Sequence, residues 1–347
     1  MHIKVHVSPP RDYDMPPCLT MFTALGRLSS HATLKIRPVI GGALAASLAA
    51  CMSSPPHPPS AGSSPQVADA PAASVSVAPK APLAELPRGG RTLFPDHRLV
   101  GFCGTPGAPE LGELQGNLTV KAKALEAKAA AYAQDRAILP VFELIAVVVQ
   151  GWSGADGKYR RRMDDSVVDD YLRAARQAKA LLLLNIQPGQ SDFLTEVKTF
   201  EKYLREPDVG VALDPEWAMK AKQRPGQFFG QTTGGIINDV ASYLSSIVED
   251  NALPEKALVF HQVNEWVLKD ESSLTAHAGV VVIKSVDGLG PVHAKIVTYD
   301  FLMGKAAPGV HAGFKLFFDE DTRNGSRLMT PGEVLALSPR PEYVMYE

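Results

Sequence analysis

Asp214 and Glu216 stand one residue apart, followed at once by the indole of Trp217, at the end of the apolar run Val209-Gly210-Val211-Ala212-Leu213. On an extended strand alternate side chains share a face, so Gly210, Ala212, Asp214 and Glu216 fall on one side and Val211 and Leu213 on the other. Pro215 has no N–H for a sheet ladder and marks the strand's end. Two residues along one face place the Cα atoms about 7 Å apart, near enough for each carboxyl to perturb the other's proton affinity. One ionises and holds the other protonated. Glycoside hydrolysis uses such a pair, an acid for the leaving oxygen and a second group that stabilises or attacks the anomeric carbon. Glu216, the longer and further out, is the expected acid, and Asp214 the partner that tunes it.

Other polar residues recur where apolar runs end. Glu143 sits inside Leu139 to Val147, where a charge costs several kcal/mol (about 3–5 if its partner is lost) unless it is paired or faces water. Gln187 shares a face with Asn185, His261 closes a fifth apolar run, Asp287 follows a sixth and Asp319 a seventh. We read Glu143, Gln187, His261, Asp287 and Asp319 as residues that position substrate or water, and Trp217 as a surface for a sugar face or packing beneath the rim. Each has an ordinary explanation beside the functional one: a helix cap for Asp287, a hydrogen-bonded core residue for His261, a solvated loop for Asp319. The joint pattern is better evidence than any member.

These residues need elements to hold them. Apolar runs predict eight strands: Arg98 to Cys103, Leu139 to Val147, Ala180 to Ile186, Val209 to Asp214, Ala257 to Gln262, Val280 to Ser285, Ala312 to Phe318 and Tyr343 to Tyr346. Helical patterns at Leu118 to Gln134, Ser166 to Ala178, Asp192 to Arg205 and Gly235 to Asp250 fall between them. Thr330-Pro331-Gly332-Glu333 reads as a capping box with proline at the first helical position. Alternating strands and helices over roughly 255 residues, 93–347, predict an α/β fold, a single (β/α)8 TIM-like barrel with its polar strand ends at one mouth. A doubly wound open sheet fits less well, because no Gly-x-Gly-x-x-Gly follows the first strand.

Residues 1–50 read as a signal peptide, in which Lys35 and Arg37 precede an apolar run from Val39 to Ala50, with Met21 giving a more usual start than Met1. Leu48-Ala49-Ala50-Cys51 resembles the bacterial lipobox, which implies lipidation of Cys51 and a membrane anchor; Met52 after it resembles outer-membrane sorting where the source has two membranes. The Pro, Ala and Ser-rich stretch 51–92 is expected to be a disordered linker holding a barrel, 93–347, off the membrane. Cys103 is then the one cysteine of the folded part, so no internal disulfide is expected. Lys+Arg 35 against Asp+Glu 37, a formal net charge of -2, gives no footprint for nucleic acid. The histidines of the folded part are scattered, with no His-x-His and no His-Glu-x-x-His, so no metal is expected; no cofactor is expected either. A monomer is expected.

The block Gly210 to Glu216 resembles the fourth-strand signature of chitinase-like barrels, which ends in Asp-x-Glu with the glutamate as acid, and also the Asp-x-Glu strand of barrel lysozymes that cut peptidoglycan. The chitinase pattern carries further acids where this chain has Val209 and Ala212. A longer likeness, through Gln187 to Leu194, Ala212 to Trp217, Leu253 to Lys256 and His261-Gln262, is to secreted bacterial lipoproteins of unassigned activity. These resemblances imply an exported, lipid-anchored, glycoside-hydrolase-like barrel at the cell envelope, acting on a cell-envelope or extracellular polysaccharide. The alternative is a non-catalytic glycan-binding or envelope-scaffolding lipoprotein. A metal-dependent hydrolase is a third.

Overall fold

The computed structural model describes residues 82–347. The expected signal peptide 1–50, the lipidation site Cys51 and the linker as far as residue 81 lie outside the described residues. Ahead of residue 93 the chain already packs: Leu86, like Leu93 after it, is buried in the core, and Arg91 donates to the carbonyls of Ala252 and Leu253 at 3.1 and 2.8 Å. The packed part thus starts ahead of residue 93, because these leucines find apolar partners that the surrounding Pro and Ala composition hides.

Eight parallel strands close into a barrel: β1 (His97–Gly104), β2 (Ala137–Val149), β3 (Leu181–Ile186), β4 (Val209–Leu213), β5 (Lys256–Gln262), β6 (Val280–Val286), β7 (His311–Leu316) and β8 (Tyr343–Tyr346). Each pairs with its sequence neighbours, and β1 closes the ring by pairing with both β2 and β8. Their residues are buried almost throughout, as a barrel sheathed in helices requires. All eight expected strands are present in the expected order. Around them lie α1 (Leu118–Ala129), α2 (Asp165–Gln177), α3 (Phe193–Lys198), α4 (Glu201–Leu204), α5 (Gly234–Asp250), α6 (Val292–Met303) and α7 (Pro331–Leu335).

The helices start where short polar side chains accept the first free amides. Asn117, Asp192 and Thr233 accept from the N–H three residues on, and Thr330 with Glu333 forms the full reciprocal capping box. In α5 the buried set Ile237, Val240, Ala241, Leu244, Ile247 and Val248 recurs every three to four residues, which seats one stripe on the barrel. The segment expected as one helix, Asp192 to Arg205, divides into α3 and α4. Between β5 and β6 there is no α-helix, but short 3-10 turns at Glu265–Val267 and Glu271–Ser273 and a two-residue strand, Leu268–Lys269, that pairs with Thr232–Thr233. Among the described residues no helix is long and apolar enough to cross a membrane.

Strand register sets which residues share the barrel interior. Cys103 lies beside Glu143, Asn185 beside Ala212, His261 beside Ser285, Ser285 beside Gly313, and Gly313 beside Tyr343. The glycines there are matters of space. A Cβ on Gly210 would stand 2.7 Å from both the Ala257 carbonyl oxygen and a Leu183 methyl, which explains the small-residue face read at β4.

Candidate active site

The interior residues nearest the carboxyl ends of the strands are polar, and they bond mainly to one another. Glu143 from β2 is fully enclosed. Its Oε1 accepts from Asn185 Nδ2 at 2.9 Å and lies 3.0 Å from His261 Nε2, while its Oε2 accepts from the Tyr343 hydroxyl. The other ring nitrogen of His261 faces Asp287 Oδ2 at 2.8 Å. Asp287 accepts from Ser285 Oγ at 2.7 Å and lies 3.4 Å from Lys315 Nζ, which in turn pairs with Glu347 at 2.5 Å. A chain of opposite charges therefore crosses the barrel, from Glu143 through His261, Asp287 and Lys315 to Glu347.

This geometry fixes protonation. Burial works to raise the Glu143 carboxyl, but the His261 charge and hydrogen bond, with Lys315 and Tyr343 behind them, outweigh it and hold it at about 2. Burial likewise opposes a charge on His261, yet the flanking Asp287 and Glu143 carboxylates push its pKa well above the usual histidine range. Asp287 follows the same balance and ends below the ordinary aspartate range. His261 is thus a buried imidazolium between two carboxylates, which accounts for a charge inside the β2 run.

Above this layer stand the expected pair. The strand stops at Leu213, and Pro215–Trp217 forms a 3-10 turn in place of the continued strand that alternation assumed. Proline at the first position of that turn ends the ladder and winds the chain, so a turn, not a pleat, carries Glu216. Both carboxyls nevertheless stay inside, Asp214 5% and Glu216 8% exposed. Asn185 Nδ2 donates to Asp214 Oδ1 and Gln187 Nε2 to Oδ2, each at 3.0 Å, and Gln187 is itself held by the Val149 N–H at 3.1 Å. Both Asp214 oxygens are therefore satisfied by amides.

Glu216 is different. Its Oε2 is buried with no hydrogen-bond partner, and burial, together with the Asp214 and Asp287 charges, drives its pKa well above the usual glutamate range. Burial also raises Asp214, but His261, Lys315 and the Gln187 bond pull the other way. The proton belongs on Glu216. A protonated carboxyl beside an amide-clamped carboxylate can give a proton to a leaving oxygen.

The structure brings together Asp214, Glu216, Glu143, Gln187, His261 and Asp287. It does not bring Asp319 to them: that residue is exposed at the start of the 3-10 turn Glu320–Gly325, in the polar stretch after β7. The buried acid of that stretch is Asp321, which pairs with Lys295 at 2.9 Å. Trp217 is half-buried at the rim, its backbone N–H on the Asp214 carbonyl at 3.0 Å. Sequence reasoning passed over Tyr343, Ser285 and Lys315. Lys315 carries the same signal as Glu143, a charge inside an apolar strand; Lys284 carries it too, but pairs with Glu271. A cavity of about 510 Å³ lies on α2, lined by Asp169, Leu172, Arg173, Arg176 and Gln177, none of which belongs to the cluster.

No protein-family model and no curated protein sequence matches the chain. Among solved structures it is similar to the cellulose synthase subunit Z from Clostridioides difficile, with 9% identity over 72% of this chain and 91% of that one, at a TM-score of 0.35. A likeness that slight carries no argument about activity, and the barrel assignment stands on the closed strand ring itself.

Proposed function

We propose that the barrel is a glycoside-hydrolase-like domain acting on a cell-envelope or extracellular polysaccharide, with Glu216 as proton donor and Asp214 as its ionised partner. One observation carries this reading: a buried Glu216 carboxyl with an unpartnered oxygen, beside an aspartate whose two oxygens are both held by side-chain amides. Glu143, His261 and Asp287 act from beneath by fixing Asn185 and the local charge. Lipidation at Cys51 and export to the cell envelope belong to the same proposal and rest on the sequence pattern at Leu48 to Cys51.

A second reading, a glycan-binding lipoprotein without turnover, is favoured by the enclosure of both acids, which are under a tenth exposed. The two separate in one experiment. The full chain and Glu216→Gln are compared for binding to, and release of reducing ends from, peptidoglycan, chitin and α- and β-linked polysaccharides. Release lost in the variant with binding kept supports the hydrolase. Binding in both proteins with no release from either supports the binding module.

A further inference from the structure

All three tryptophans of the chain, Trp152, Trp217 and Trp266, lie on loops that leave the carboxyl ends of β2, β4 and β5. Trp152 is 50% and Trp266 64% exposed, and Phe228 and Phe229 on the β4 loop are exposed as well. Among the described residues these four make up all but one of the exposed Trp and Phe side chains; the other, Phe301, lies under the Lys305 ammonium at 4.0 Å. Exposed aromatic clusters at a polar opening mark binding surfaces.

The loops are tied side to side. Gln190 N–H donates to the Lys158 carbonyl at 2.7 Å, Met219 N–H to the Gly189 carbonyl at 2.8 Å, and Gln231 Nε2 to the Trp266 carbonyl at 2.5 Å. Gly189 makes the first crossing possible: its φ is +58° and a Cβ there would stand 2.3 Å from the Lys158 oxygen. The loops that carry the aromatic residues are thus joined into one arc from β2 to β5, with Asp214 and Glu216 at the root of the β4 loop, where the Gly230 N–H returns to the Glu216 carbonyl at 2.6 Å.

The β4 loop of this arc is also basic. From Trp217 to Asn238 the chain carries Lys220, Lys222 and Arg224 and no acidic residue, and Lys158 sits on the neighbouring hairpin. All four are exposed. Lys158 and Lys220 donate to neutral amide oxygens, and among the described residues no carboxylate forms an ion pair with any of the four. The arginines beside them differ: Arg160 and Arg162 are both engaged by Glu196. Cations without a carboxylate partner on the loop that carries the acid pair, and on the hairpin beside it, offset the repulsion that an anionic ligand would meet there.

We propose that this arc binds an acidic glycan, with pyranose faces on Trp152, Phe228, Phe229 and Trp266 and sugar carboxylates on Lys158, Lys220, Lys222 and Arg224. The proposal rests on the glycan-directed reading of the site and adds the charge of the chain it takes. A neutral polysaccharide gives the four cations nothing to pair with. A nucleic acid would gain from the same cations, and its binding is measured beside that of the glycans.

The test is calorimetric binding by the full-length Glu216→Gln chain, which removes turnover from the measurement, to alginate and polygalacturonate beside a neutral β-glucan. Carboxylated chains are expected to bind about tenfold tighter at low salt and to lose that advantage as salt shortens the screening length. Substituting Lys220→Gln, Lys222→Gln and Arg224→Gln together abolishes the preference and leaves neutral binding unchanged, while Trp266→Ala weakens both. The substituted side chains are exposed, so the fold is kept. Equal binding of acidic and neutral chains overturns this proposal alone. Absence of all glycan binding overturns the glycan reading with it. Tighter binding of single-stranded nucleic acid or anionic lipid vesicles than of any glycan assigns the arc to that ligand and refutes the proposal.

Discussion

Removing the His261 charge isolates what the buried relay contributes. His261→Gln keeps a polar side chain of similar reach but leaves Glu143, with 0% exposure, and Asp287, with 2%, without the cation between them. Two routes give the magnitude. Holding Glu143 at about 2, against an unfolded value near 4.3, is worth about 3 kcal/mol above pH 5. Deleting one partner of a buried ion pair typically costs about 3–5 kcal/mol. These describe the same interaction and are counted once, so the expected loss is about 3–4 kcal/mol. In a domain of this size that lowers Tm by roughly 10 °C.

The pH dependence carries the sharper test. A depressed carboxyl such as Glu143 contributes stability that is present above its unfolded pKa and lost as pH falls through its folded value, about 2. A raised histidine contributes stability that is complete below about pH 6.5 and lost only as pH rises through its folded value, which here lies well above that. Wild type therefore holds the full contribution between about pH 5 and 6.5. In the variant, burial without the imidazolium raises the Glu143 pKa, so acid neutralises the stranded carboxylate and relieves its penalty. The stability gap between the two proteins, read by urea unfolding, should be widest between about pH 5 and 6.5 and shrink by more than half toward pH 3. Adding Glu143→Gln to His261→Gln should cost less than the sum of the singles. A gap under 1 kcal/mol, a gap that widens in acid, or simple additivity refutes the relay.

Three further outcomes follow from single contacts. Gln187→Leu removes the donor to Asp214 Oδ2, so the Asp214 carboxyl should titrate higher by carbon-13 NMR; an unchanged value means that the Asn185 bond suffices alone. Lys295→Met leaves the 0% exposed Asp321 without its cation, and a loss of about 3–5 kcal/mol in denaturant unfolding is expected, against near neutrality if the backbone N–H groups of Phe317 and Gly290 satisfy it. Gly210→Val drives side-chain atoms into the Ala257 carbonyl and Leu183, and destabilisation of at least about 2 kcal/mol should appear as a lower urea midpoint with unchanged slope.

Much of the fold was legible because a barrel strand is buried on both faces and so reads as a nearly continuous apolar run. Interruptions in those runs are informative for the same reason: Glu143 and His261 are tolerated only because each supplies the other's counter-charge. Helix α6 was not legible, since it buries Lys295 and Tyr299 while exposing Val297 and Phe301, the reverse of an amphipathic pattern. Its buried lysine makes sense only with Asp321, which lies beyond the next strand. Asp319 looked like Asp321 in sequence, two acids in one polar stretch, and only the turn between them decides which goes inside.

The same distinction separates Lys284 from Lys315. Both are charges in apolar strands, yet Lys284 reaches Glu271 and the Leu302 carbonyl, whereas Lys315 reaches Asp287 and Glu347. Strand parity assigns the faces once register is known: Lys315 is two residues from Gly313, which lies beside the inward Ser285, while Lys284 lies next to Ser285 and so faces the other way. A one-residue slip of β7 would turn Lys315 outward, putting an ammonium with no carboxylate partner among the helices and removing the cation beside Asp287. Such a slip leaves two buried charges unpaired, each at a cost of several kcal/mol (about 3–5). The polar layer beneath Asp214 and Glu216 therefore serves two ends at once, ordering the charge around the acid pair and pinning the register of the strands that carry it.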